Sequence, residues 1–190
     1  MEVFDSTVAD SLKKGDIAVI PTDTVYGIVA QAFDRSAVER LYELRRKTPQ
    51  KPFIILIDHI ERLQEFEIVL TPAQETFLMN VWPGKVSVIL SCASKSFSYL
   101  HLGTQTLAFR FPDSKPLLDL ISKTGPLVAP SANPEGEKLA QTIEDARRYF
   151  GDKVSIYVDA GEPYTGKPST LVSLLNDAPF VLRQGTVVLE

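Results

Sequence analysis

The chain of 190 residues has one cysteine, Cys92, two histidines, His59 and His101, and one tryptophan. A single cysteine excludes an internal disulfide. Its place at the end of the apolar run VSVILSC makes it a buried strand residue, not a thiol nucleophile. The histidines stand apart, and neither adjoins a cysteine or acid pair at metal-ligand spacing, so both read as surface residues and no protein ligand for a metal is identified. The motifs G-x-x-x-x-G-K-[ST], G-x-G-x-x-G and G-x-S-x-G are missing, which removes the P-loop, the dinucleotide fingerprint and the nucleophile elbow. No stretch approaches the roughly 18 apolar residues of a membrane helix. The opening MEVFDSTVADSLKKGD carries early acids and no signal-peptide core, so a cytoplasmic location without a membrane is expected. Net charge is −4, from 20 Lys+Arg against 24 Asp+Glu, so any anion site has to be local.

What is present is ordinary globular composition, 44% hydrophobic and 23% charged. A chain of this length buries roughly two-thirds of its unfolded surface on folding, so neither disulfide nor metal is needed to hold it. Periodicity predicts helices over 6–14, 36–47, 71–82, 116–123 and 142–150, the last with Thr142 and Asp145 as a capping-box variant. Short apolar runs predict strands over 17–20, 53–57, 86–90, 107–111, 127–129, 155–159, 170–175 and 180–183. Helices alternate with strands early and strands cluster late. The expectation is a single α/β domain over 1–190, a twisted, open, mixed sheet with helices packed on it. In such folds ligands gather where strands end.

Four segments carry polar chemistry. Pro21-Thr22-Asp23-Thr24-Val25-Tyr26-Gly27 follows the first strand and offers hydroxyls to a small polar ligand or, as local physics favours, to its own backbone in a turn. Arg45-Arg46-Lys47-Thr48-Pro49-Gln50-Lys51 packs four cations into seven residues. Positions 38, 41, 42 and 45 share one helix face, so Arg45 points toward the sheet. The cluster suits phosphates, or it is a solvated group that offsets a helix dipole. Ser131 and Asn133 face one side if their segment is extended, and otherwise form an Asx-type turn before Pro134. Arg110 within a strand has to be paired, and Ser169 and Arg183 border later strands.

In this order, PTDTVYG, the R-x-K-x-x-x-K-P segment, Trp82-Pro83-Gly84, Arg110, Ser131-Ala132-Asn133, Pro168-Ser169-Thr170 and Leu182-Arg183-x-Gly185 resemble the YrdC-like family of threonylcarbamoyl-AMP synthases, over about residues 5 to 186. The resemblance implies a sheet with a concave basic face and an L-threonylcarbamoyladenylate synthase activity. That nucleotidyltransferase joins L-threonine, bicarbonate and ATP, with Mg2+ as the expected companion of ATP. It implies pyrophosphate release and a downstream threonylcarbamoyl transferase acting on tRNA. It places Thr24, Arg110, Ser131 and Ser169 around L-threonine, and Arg45, Lys47, Lys51, Thr106, Asn133 and Arg183 around ATP. Arg45, Lys47, Ser131 and Asn133 position the reactants, and no side chain serves as nucleophile. The family reads Lys-x-Arg where this chain has Arg45-Arg46-Lys47, and Leu56 replaces a histidine. The alternatives are a YrdC-like RNA-binding module and a paralogous carbamoyl-adenylate enzyme without threonine specificity. The large hydrogenase-maturation carbamoyltransferases carry acylphosphatase and zinc-finger regions that are not found in these 190 residues.

Overall fold

The computed structural model describes residues 4–45 and 51–189. In chain order the elements are α1 (Ser6–Lys13), β1 (Ala18–Pro21), β2 (Tyr26–Gln31), α2 (Arg35–Arg45), β3 (Ile54–Leu56), α3 (Pro72–Val81), β4 (Val86–Ser91), α4 (Ser98–His101), β5 (Thr106–Arg110), α5 (Lys115–Thr124), β6 (Leu127–Val128), α6 (Ile143–Phe150), β7 (Ile156–Tyr157), β8 (Thr170–Ser173) and β9 (Phe180–Arg183). The expected α/β class holds, and most expected elements recur within a few residues. The sheet has nine strands in the order β7-β1-β2-β6-β3-β5-β4-β8-β9. It is mixed: β1 runs parallel to β7, β3 to β5 and β4 to β8, and the other neighbours are antiparallel.

The helix ends follow local chemistry. Asp5 caps α1 by accepting from the Thr7 and Val8 amides. Thr71 and Gln74 form a full capping box with Pro72 in the first turn of α3. Thr142 and Asp145 form the capping box expected for α6.

One face of the sheet is sealed throughout. Val19, Ile28, Ile55, Val88, Phe109 and Val172 point into a core completed by Leu41 of α2, Leu78 of α3, Phe66 and Trp82. The other face is sealed only in part. Val8 and Leu12 of α1 and Leu117, Leu120 and Ile121 of α5 cover Ala18, Ile20, Val29, Leu56 and Leu127. The helices stop there. Ile54 packs against the edge of this second core, and with Ala108 and Ile89, aligned with it across β5 and β4, it floors an open hollow.

Three expectations change. The strand β2 was not anticipated: residues 22–25 are the turn of a β1–β2 hairpin in which Pro21 pairs with Tyr26 and Ile20 with Gly27. Two short helical pieces, Ile60–Phe66 and Ser98–His101, were also not anticipated. Finally, His101 is buried, not a surface residue. Its Nδ1 accepts from the Gly103 amide and its Nε2 lies 3.2 Å from the Ser94 carbonyl oxygen, so both ring nitrogens are engaged by backbone. His59 is at the surface, its side chain 46% exposed beside Asp58. Cys92 is buried as expected, and burial pushes its thiol above the ordinary range, the opposite of what a nucleophile needs.

Candidate functional site

Two cavities open on the uncovered part of the sheet and share a wall. The larger, about 400 Å³, is floored by Phe53, Ile54, Ile89, Ala108 and Leu171 and edged by Arg45, Lys51, Thr106, Glu135 and Arg183. The smaller, about 140 Å³, is lined by Thr22, Thr24, Arg110, Ser169 and Arg183 among others. Ile54, Pro130, Ser131 and Arg183 border both.

The hairpin turn shapes one side of the small cavity. The Thr22 hydroxyl donates to the Val25 carbonyl at 2.6 Å and accepts from the Thr24 and Val25 amides, both at 3.3 Å, so the turn closes on its own hydroxyl. This leaves Thr24 at the cavity wall, 3.3 Å from Thr22 between hydroxyl oxygens. Gly27 follows because a β-carbon there would sit 2.9 Å from Thr22 Cγ2. Tyr164 reaches over the turn. Its hydroxyl donates to the Thr22 carbonyl and its ring meets Tyr26 edge-on, with centroids 5.0 Å apart. Burial pushes the Tyr164 phenol up to about 12, so it stays a donor at neutral pH.

Residues 130–132 run beside β2 through one isolated bridge. The Pro130 carbonyl accepts from the Ile28 amide, Gly27 bridges to Ser131, and the Ala132 amide donates to Tyr26. This fixes Ser131 at the shared wall. The expectation that Arg45 points inward holds. Its Nε donates to the Ser131 carbonyl at 2.8 Å, and its Nη2 donates to the Ser131 hydroxyl at 2.9 Å and to Asn133 Oδ1 at 3.2 Å. Ser131 Oγ in turn donates to Asn133 Oδ1 at 2.7 Å. The Asn133 amide nitrogen donates to the carbonyls of Pro134 and Glu137. The open choice at Asn133 therefore resolves as a turn that supports Ser131 and Arg45 from behind.

On the opposite side Arg110 ends β5, and its Nη2 donates to Asp23 Oδ1 at 2.9 Å, with side chains only 4% and 2% exposed. Burial lowers the Arg110 guanidinium from its ordinary value and Asp23 opposes that. Ser169 and Ser87 share a hydrogen bond of 2.8 Å, and Arg183 Nη2 donates to the Ser169 carbonyl at 2.9 Å. Burial, then the neighbouring Arg110 cation, pull Arg183 down as well. Gly185 is forced by this packing, since a β-carbon would fall 2.1 Å from the Pro168 carbonyl oxygen.

The fold thus gathers Thr24, Arg110, Ser131, Ser169 and Arg183 at the small cavity, and Arg45, Lys51, Thr106, Ser131 and Arg183 at the large one. Asn133 stands behind the wall, and Lys47 lies outside the described residues. Not selected from the sequence were Asp23, Ser87 and Glu135. Asp23 lay within a quoted motif, whereas Ser87 had no signal beyond its strand. Among the described residues no group of three or more His, Cys, Asp or Glu is arranged to hold a metal ion, and no helix is long and apolar enough to cross a membrane.

Comparison with known proteins gives the family and the fold. A Sua5/YciO/YrdC family model, described as telomere recombination, matches residues 10–185. The chain is 33% identical over 184 residues to a threonylcarbamoyl-AMP synthase of Bacillus subtilis, covering 94% of this chain and 52% of that protein. It is 30% identical over 164 residues to a threonylcarbamoyl-AMP synthase of Thiobacillus denitrificans, covering 86% of this chain and 87% of that protein. The crystal structure of P. abyssi Sua5 complexed with L-threonine superposes with a TM-score of 0.86 at 30% identity, covering 94% of this chain and 53% of that one. The chain therefore spans about half the length of the Bacillus and P. abyssi proteins.

Proposed function

The chain belongs to the Sua5/YciO/YrdC family, and from that premise we propose that it is an L-threonylcarbamoyladenylate synthase, with L-threonine in the small cavity and ATP in the large one. The observation that carries this reading is the shared wall. A small polar cavity and a larger one with an apolar floor and a cationic edge meet at Ser131 and Arg183. A substrate in each would bring its reacting end to that wall.

The chemistry suits a site without a side-chain nucleophile. The threonine amine forms a C–N bond to carbon dioxide derived from bicarbonate and releases a proton to solvent. A carbamate oxygen then forms a bond to the α-phosphorus, and the α–β P–O bond breaks with its electron pair leaving on pyrophosphate. The protein holds the two reactants in line and stabilises the charge spreading over the phosphate oxygens. Arg110 and Arg183 offer guanidinium groups to the amino-acid carboxylate, while Thr24 and Ser169 offer hydroxyls to the rest of that molecule. Lys51, Arg183 and the edge of Arg45 offer positive charge to the phosphates, and Thr106 offers a hydroxyl. Ile54, Ile89, Ala108 and Leu171 provide an apolar bed for the base and sugar. Lys47 is assigned to the same phosphates, and Asn133 to holding Ser131. ATP enters as its magnesium complex. Among the described residues Glu135 is the one carboxylate lining the large cavity, so a magnesium ion bound with ATP would be held chiefly by phosphates and water. The product is passed to tRNA by a downstream transferase, in the cytoplasm.

Pyrophosphate release from Mg-ATP by the purified protein tests this. Release that requires both L-threonine and bicarbonate, and falls with L-serine, is the expected result. ATP cleavage indifferent to threonine contradicts it.

A further inference from the structure

Among the described residues the small cavity is lined by two guanidinium groups, Arg110 and Arg183, and by no carboxylate. The counter-charge comes from behind the wall. Asp23 sits in the β1–β2 turn and holds Arg110 through a single contact, Nη2 to Oδ1. Its other oxygen, Oδ2, and Arg110 Nε are both buried and have no hydrogen-bond partner.

As a stabilising device this pair is poor. Burying two charges costs several kcal/mol each, repaid only when the geometry is good and the leftover donors and acceptors are satisfied. Here one donor and one acceptor are left over. As a positioning device it is well made. The guanidinium is held between Asp23 on one side and the cavity on the other. The need for such a hold is visible in the charges. Arg110 and Arg183 line the same cavity and are close enough for Arg110 to depress the proton affinity of Arg183, so the carboxylate of Asp23 is the counter-charge to one of two neighbouring cations.

We propose that Asp23 is the residue that positions Arg110 for the carboxylate of the amino-acid substrate, and so sets the preference for a free α-carboxylate over a neutral end group. This rests on the synthase reading above. Asp23 lies behind the lining of the cavity, so it acts through Arg110 and does not touch the substrate.

The test compares wild type with Asp23→Asn, which keeps shape and one acceptor oxygen but removes the charge. Pyrophosphate release is measured against L-threonine, L-threoninamide and ATP. In Asp23→Asn the KM for L-threonine should rise at least about tenfold, while the KM for ATP stays within about twofold, because a lost buried counter-ion acts locally. The preference for L-threonine over L-threoninamide should fall by the same factor as the KM rises. An unchanged or lowered threonine KM would show that Asp23 is only a structural counter-ion or a competitor for Arg110. Should Asp23→Asn fail to fold around an uncompensated Arg110, the double variant Asp23→Asn/Arg110→Met removes both charges. Its threonine KM should equal that of Arg110→Met alone. A further loss in the double variant overturns the proposal, since Asp23 would then act independently of Arg110. Wild-type protein that ignores threonine sinks this inference and the synthase reading together, whereas active wild type with an unaltered Asp23→Asn sinks this inference only.

Discussion

The two cavities share a wall but are built on opposite plans. In the small one the polar groups are already engaged by the protein: Arg110 by Asp23, Ser169 by Ser87, and the hairpin turn by the Thr22 hydroxyl. In the large one the floor is apolar, made by alternate residues of β3, β5, β4 and β8, and charge stands only at the edge. Pre-engaged polar groups hold their geometry before a ligand arrives, so the small cavity is suited to tell one small molecule from a close analogue. An apolar floor edged by cations binds by area and charge and discriminates less. The cause lies in the fold. Helices α1 and α5 cover one end of this sheet face and leave the other end bare, so the large cavity is simply an uncovered sheet surface. The small one is assembled from the β1–β2 turn, the end of β5, and the segments around Ser131 and Ser169.

That contrast orders the expected effects of mutation. Arg110→Ala should do most. It removes a cation from the small cavity and strands Asp23 as a buried unpaired charge, which costs about 3–5 kcal/mol of stability, so both the melting temperature and threonine-dependent turnover should drop sharply. Retention of full stability by this variant would mean that the Asp23–Arg110 pair is not formed. Ser131→Ala comes next. Because it stands at the shared wall it should lower turnover by about tenfold or more and raise the KM of both substrates, with the fold intact by circular dichroism. Lys51→Ala at the edge of the large cavity should raise the KM for ATP several-fold, the loss of about 1 kcal/mol at most expected of an exposed cation–phosphate contact, and leave the threonine KM alone. An effect on threonine equal to that on ATP would erase the division between the cavities. Thr71→Ala, far from both, should cost about 1 kcal/mol through loss of the α3 capping box, seen as a lower melting temperature with unchanged KM values.

Much of this was legible in the chain. Capping residues and apolar runs placed α3, α6 and most strands, and the i, i+3, i+4, i+7 stripe aimed Arg45 at the sheet, where it meets Ser131. The hairpin was hidden. The segment YGIVAQ carries Gly27 and Ala30, which lower strand propensity, and it follows a turn that closes on a side chain, a pattern that also reads as loop. Pairing over long separations was hidden for a different reason. Asp23 and Arg110 are 87 positions apart, and Ser87 and Ser169 are 82 apart. Nothing local in either sequence neighbourhood names its partner. The histidine at 101 was misjudged because backbone groups, not side chains, satisfy its ring.

The most direct measurement of the two-cavity account is calorimetric titration of L-threonine and of ATP into the wild-type protein, each alone and each against protein saturated with the other. The account predicts that both bind the same chain at once, one of each per chain, with neither excluding the other. Competition, in which saturation with one abolishes binding of the other, would place both ligands in a single cavity and contradict it.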